Sequence, residues 1–117
     1  MKTNIIMEIK DTIIIAKEFK DNPGARERAD GPNSGQEFLE DILLTRFNKA
    51  VANNYILLID LDGVWGYPSS FISGSFGKLS MDRGADLLLK HLQFKSDMNP
   101  MRIEKVVSEI KNPTPKK

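Results

Sequence analysis

Seven consecutive residues, Tyr55-Ile56-Leu57-Leu58-Ile59-Asp60-Leu61, form a nearly unbroken apolar run that stops at Asp62-Gly63. The run is too short for a buried helix and is bounded by turn formers, so it reads as a central strand covered on both faces. A strand of that kind needs helices layered against it, which commits the chain to an α/β fold. The segment before it supplies one. Phe38, Leu39, Ile42, Leu43, Phe47, Ala50 and Val51 recur at helical spacing, while Glu40, Asp41, Arg46 and Lys49 mark the wet face. Ser34-Gly35-Gln36-Glu37 opens this helix as a capping box, and Asn53-Asn54 ends it.

The flanks follow by the same rules. Residues 4–10 and 12–19 are isoleucine-rich and read as two short strands, turning as a hairpin at Lys10-Asp11. Residues 20–35 hold glycines, prolines and asparagines and form a long loop, a length that marks function or disorder. Ser69-Ser70 caps a helix running to about Met81, His91–Lys95 is a further strand, and Pro100–Ile110 is a closing helix capped by Asn99. The expected order is β-β-α-β-α-β-α, in one domain over residues 1–112. Residues 113–117, ending Lys116-Lys117, form a disordered basic tail.

Charge and composition narrow the function classes. Lys and Arg number 17 against 16 Asp and Glu, a net +1 with no field to draw nucleic acid or an anionic membrane. With no cysteine, thiolate metal sites, disulfides and cysteine nucleophiles are excluded. The N-terminus has no signal-peptide pattern, so the expected location is the cytoplasm. The isoleucine-rich N-terminal strands offer an open sheet edge, and the expected state is a monomer or weak dimer.

Ile59-Asp60-Leu61-Asp62-Gly63-Val64, then Tyr67-Pro68-Ser69-Ser70-Phe71 and Phe76-Gly77-Lys78-Leu79, with Asp30–Phe38 upstream, together resemble the STAS-like domain family. That family is related to the bacterial anti-sigma factor antagonists. The resemblance covers Pro23–Leu79 best. It implies a small mixed β-sheet backed on one side by helices. It also implies a regulatory protein-binding module, not an enzyme, that docks on a histidine-kinase-type ATPase or anti-sigma factor. The implied contact region is Asp62, Trp65, Tyr67, Ser69, Ser70 and Phe71. In the better-known branch an Asp-Ser-Ser-Gly motif at this helix start is phosphorylated on its first serine. Here Pro68 stands at the aspartate, Ser69 at that serine and Phe71 at the glycine.

Read from the residues alone, most of these positions keep two meanings. Ser69 and Ser70 are helix caps or phosphorylation sites. Gly74 and Gly77 allow close helix packing or leave a flat face for a partner. Asp60 and Asp62 close a turn or hold a cation, with no third ligand evident and no metal expected. Trp65 and Tyr67 are exposed anchors or the edge of the core. His91 has no neighbouring nucleophile or carboxylate motif and reads as structural. Arg26 and Arg28, with Ser34 and Gly35, form either an anion site at a helix start or a solvated loop. No cofactor is expected. The second functional class is a small-ligand or nucleotide-binding domain whose 26–34 and 62–70 loops form one pocket.

Overall fold

The computed structural model describes residues 7–115. Three strands, β1 (Ile9–Ile14), β2 (Ile56–Asp60) and β3 (Leu92–Lys95), form a parallel sheet in the order β1-β2-β3. Parallel neighbours need long crossovers, and helices supply them. α1 (Ile15–Glu18), α2 (Gly35–Phe38) and α3 (Leu44–Ala52) lie between β1 and β2. α4 (Ser69–Ile72), α5 (Lys78–Arg83) and α6 (Ala85–His91) lie between β2 and β3, and α7 (Met101–Lys111) closes the chain. A π-helical segment, Leu39–Leu43, joins α2 to α3, and another, Ser73–Gly77, joins α4 to α5. Residues 35–52 and 69–83 therefore each run as one helix.

The α/β class and the helix-backed sheet agree with expectation, while the element order agrees only roughly. The hairpin at Lys10-Asp11 is absent, since both residues lie inside β1, where the pairing with β2 slips between Ile9 and Asp11. Asp11 has no following glycine to make a tight turn, and Arg46 of α3 grips its carboxylate through Nε at 2.8 Å and Nη2 at 2.7 Å. Residues 15–18, expected as strand, are α1. The strand expected over 4–10 lies largely outside the described residues, among which every strand is parallel and none is antiparallel. The remaining difference is α6. Gly84 adopts φ 91°, a left-handed conformation that interrupts the helix, and α6 restarts directly after it. His91 ends that helix instead of opening β3, and its buried Nδ1–H donates to the Tyr55 carbonyl at 2.9 Å.

β2 is not covered on both faces. Leu57 and Ile59 are fully buried, whereas Leu58 and Asp60 are only partly so. Thr12 and Gln93, which flank Leu58 on the neighbouring strands, are exposed. The run is unbroken in sequence because its second face is half apolar, not because that face is sealed.

The core is aromatic at its centre. Phe38 of α2 stacks at centroid distances of 5.7 Å from Phe71 and 5.9 Å from Phe76, both on helix 69–83. Gly35 lets the two helices meet: a Cβ there would stand 2.9 Å from the Gly74 carbonyl carbon and the Ser75 nitrogen. Gly74 and Gly77 are likewise filled by the chain itself, the first by the Arg26 backbone and the second by Glu109, whose Oε2 would lie 2.8 Å from an added Cβ. Close packing is their role.

Candidate functional site

Because the strands are parallel, the segments leaving β2 and β3 emerge at the same edge of the sheet. They are tied together there. Leu61 N–H donates to the Lys95 carbonyl at 2.9 Å. The Asp62 carboxylate accepts from Ser96 Oγ at 2.9 Å and from the Asp97 and Met98 amides at 2.8 and 3.2 Å. These donors, the Asp97 amide foremost, hold the Asp62 carboxyl below its ordinary pKa. Lys95 Nζ lies 3.9 Å from both Asp60 and Asp62 and 3.0 Å from Asp97. The Asp60–Asp62 pair is thus a turn device with a lysine where a cation would sit. Among the described residues no cluster of three or more potential ligands could hold a metal.

The following loop is held by α7. Arg102 Nη1 donates to the Leu61 carbonyl at 3.3 Å and Nη2 to the Trp65 carbonyl at 3.4 Å, while its guanidinium lies 5.3 Å from the Tyr67 ring centre. One turn on, Lys105 Nζ donates to the Tyr67 carbonyl at 2.6 Å. Trp65 N–H donates to the Asp21 carbonyl at 2.8 Å, and Tyr67 Oη–H to the Leu61 carbonyl at 3.0 Å. Burial pushes the Tyr67 phenol above its usual pKa. Every backbone anchor points inward and the indole points out: Trp65 is 86% exposed. Met98 and Met101, at 78% and 72%, are also exposed, and Trp65, Met98 and Arg102 line a shallow concavity of about 430 Å³ with Gly63, Val64 and Asn99.

The residues expected at a partner surface therefore separate. Trp65 and Ser69 are exposed and Ser70 is half-buried. Tyr67 and Phe71 are core, the latter fully buried among Phe19, Phe38 and Tyr67, and Asp62 is turned into its own hydrogen-bond network. The capping role of the serines is corrected as well. Pro68 occupies the cap position, Ser69 is already the first helical residue, and no side chain caps this helix. Asn99 does not cap α7 either, since Pro100 stands there.

The anion site at Arg26, Ser34 and Gly35 is not formed. Gly35 N–H donates to the Ala25 carbonyl at 2.8 Å, Gln36 N–H to the Arg26 carbonyl at 3.0 Å, and Glu37 N–H to Ser34 Oγ at 3.0 Å. The amides an anion would need are already used. Ser34 and Gly35 are buried, Arg26 bonds Ser73 Oγ, and Arg28 is paired with Glu40 and Asp41. The 26–34 and 62–70 loops line separate concavities among the described residues. Arg26 and Glu27 line a groove of about 250 Å³ with Leu39, Gly74 and Met81, and the 62–70 loop contributes nothing to it.

Residues 34–101, more than half of the chain, match the family described as a STAS-like domain of unknown function (DUF4325). The chain belongs to the STAS-like family. The match begins at the capping serine and ends at the first residue of α7, so the STAS-like segment spans β2, β3 and the Trp65 loop between them. No curated protein and no solved structure matches the chain. No helix among the described residues is long and apolar enough to cross a membrane.

Four residues of this STAS-like domain's candidate site escaped sequence reasoning. Met98 and Met101 flank Pro100 in an otherwise polar stretch, a signal of exposed apolar surface. Arg102 and Lys105 share one face of α7 at a three-residue spacing, but nothing local says that their targets lie 37 to 41 residues earlier.

Proposed function

We propose that this STAS-like domain is a regulatory protein-binding module whose docking surface is the exposed Trp65 with Met98 and Met101. Its partner is a kinase-like ATPase of the histidine-kinase type, and capture of that ATPase relieves inhibition of a third protein such as a sigma factor. Phosphorylation at the start of helix 69–83, on Ser69 or Ser70, switches the complex off. The module acts in the cytoplasm as a monomer or weak dimer. The observation that carries the reading is Trp65, the chain's only tryptophan, held out on a loop whose backbone is anchored by Asp21, Arg102 and Lys105. A rigid exposed aromatic is the side chain most enriched where protein interfaces gain their affinity. The test is affinity capture from the host lysate with ADP and with ATP, using the native protein and Trp65→Ala. Enrichment of a kinase-like ATPase by the native protein alone is the expected result. Equal capture by both proteins, or none, overturns the reading.

The small-ligand alternative has one observation in its favour. The groove beside Arg26 is lined by both π-helical segments, through Leu39 and Glu40 on one side and Ser73 and Gly74 on the other. Interruptions of this kind are frequent at functional sites. A rise in melting temperature with nucleotides or small acids, lost in Leu39→Trp, would favour it over docking.

A further inference from the structure

A polar concavity of about 270 Å³ lies between the start of helix 69–83 and α7. Ser69 and Ile72 line it from one helix, and Lys105, Ser108, Asn112 and Thr114 from α7 and the segment after it. Ser70 does not line it. Lys105 is already committed, because its ammonium holds the Tyr67 carbonyl of the loop that presents Trp65. Glu109 is the opposing charge at this site, and its carboxylate accepts from Thr114 N–H at 2.5 Å and Thr114 Oγ1–H at 2.8 Å.

We propose that this concavity receives a phosphate carried on Ser69, that Lys105 is its counter-charge, and that phosphate capture draws Lys105 off the Tyr67 carbonyl. The inference rests on the serine switch proposed above and assigns it to Ser69. In the covalent step Ser69 Oγ bonds to the γ-phosphorus of ATP held by the kinase-like partner. The bond from that phosphorus to its bridging oxygen breaks, ADP leaves with the electron pair, and the serine proton passes to a base of the partner. The phosphoserine carries a charge of about −1.5 to −2 and three acceptor oxygens. A lysine ammonium bonds an anion more strongly than it bonds a neutral carbonyl. Ser108 and Asn112 offer further hydroxyl and amide donors, while Glu109 repels the phosphate and favours the Lys105 end. With Lys105 withdrawn, the Trp65 loop keeps its bonds to Asp21 and Arg102 but loses the support just after Trp65, and the docking side chain is held less tightly.

The test needs no partner. Protein carrying genetically encoded phosphoserine at position 69 is titrated by phosphorus NMR, beside Lys105→Ala and Lys105→Arg. The second phosphate ionisation of the native protein is expected about half a unit below that of Lys105→Ala, with Lys105→Arg keeping the low value. Trp65 fluorescence anisotropy should fall on phosphorylation as the loop loosens, in the native background only. A phosphate ionisation indifferent to Lys105→Ala overturns the inference, even if a kinase-like ATPase binds. A Lys105-dependent ionisation supports it, even if lysate capture fails and the docking reading falls.

Discussion

A Cβ placed on Gly35 would overlap the carbonyl oxygen of Phe71, the backbone of one long helix resting directly on the start of the other. Neither atom belongs to a flexible side chain, so the contact cannot yield without moving a helix. Gly35→Ala is therefore expected to lower stability by about 1–3 kcal/mol, the range for overpacked cores. Urea unfolding checks it, and an unchanged midpoint would show that the helices are not seated this closely.

Arg46 is the centre of an ion network joining α3 to β1 and α1. It contacts Asp11 at 2.7 Å, Glu18 at 2.6 Å and the Thr12 carbonyl at 2.8 Å. The Arg46 guanidinium holds the Asp11 carboxyl below its ordinary value of 3.8. A depressed carboxylate stabilises the fold above its unfolded pKa and loses that contribution as pH falls through the folded one. Arg46→Met should cost about 1–2 kcal/mol at pH 7, after allowance for partial exposure of all three side chains. The difference from the native protein should shrink below pH 3.8. Unfolding curves at several pH values measure both, and a pH-independent difference would refute the assignment.

Asp62 predicts a local effect. Its carboxylate is the acceptor for the Asp97 and Met98 amides, so Asp62→Ala should speed hydrogen exchange at those two positions while leaving β2 protected. The depressed Asp62 pKa sets the pH sense: protection in the native protein should fade only as acid approaches that low value. Uniform loss across the sheet would mean that Asp62 supports the fold as a whole.

Trp65 and Tyr67 are two residues apart and should behave oppositely. Trp65→Ala is expected to change stability by no more than about 0.5 kcal/mol, as at other exposed sites, while removing partner capture. Tyr67→Phe should cost about 1 kcal/mol through the lost bond to Leu61. Thermal melts of the two variants decide it, and a large loss for Trp65→Ala would make the indole structural.

What could be read in the sequence was local. The Ser34 cap, the apolar stripe from Phe38 to Val51 and the β2 run are each decided by neighbours within a turn or a strand and stand where expected, although only the serine half of the capping box is formed, Ser34 Oγ accepting from Glu37 N–H. What escaped depended on distant partners. Asp11 stays in a strand because of Arg46, 35 residues on. Which of Trp65 and Tyr67 turns outward depends on Arg102 and on the Leu61 carbonyl that Tyr67 reaches back to. α6 was hidden by Gly84, since a glycine between apolar stretches marks a break without saying that a helix resumes after it.

The anchoring of the Trp65 loop also decides what can stand in for the protein. Its supports come from Asp21, from the loop after β3 and from α7, segments brought together only by the completed sheet. A synthetic peptide spanning 62–76 would carry the tryptophan, Ser69 and Ser70 but none of those supports. It would sample many shapes in place of one, so this surface is a property of the folded unit and cannot be transplanted as a linear motif.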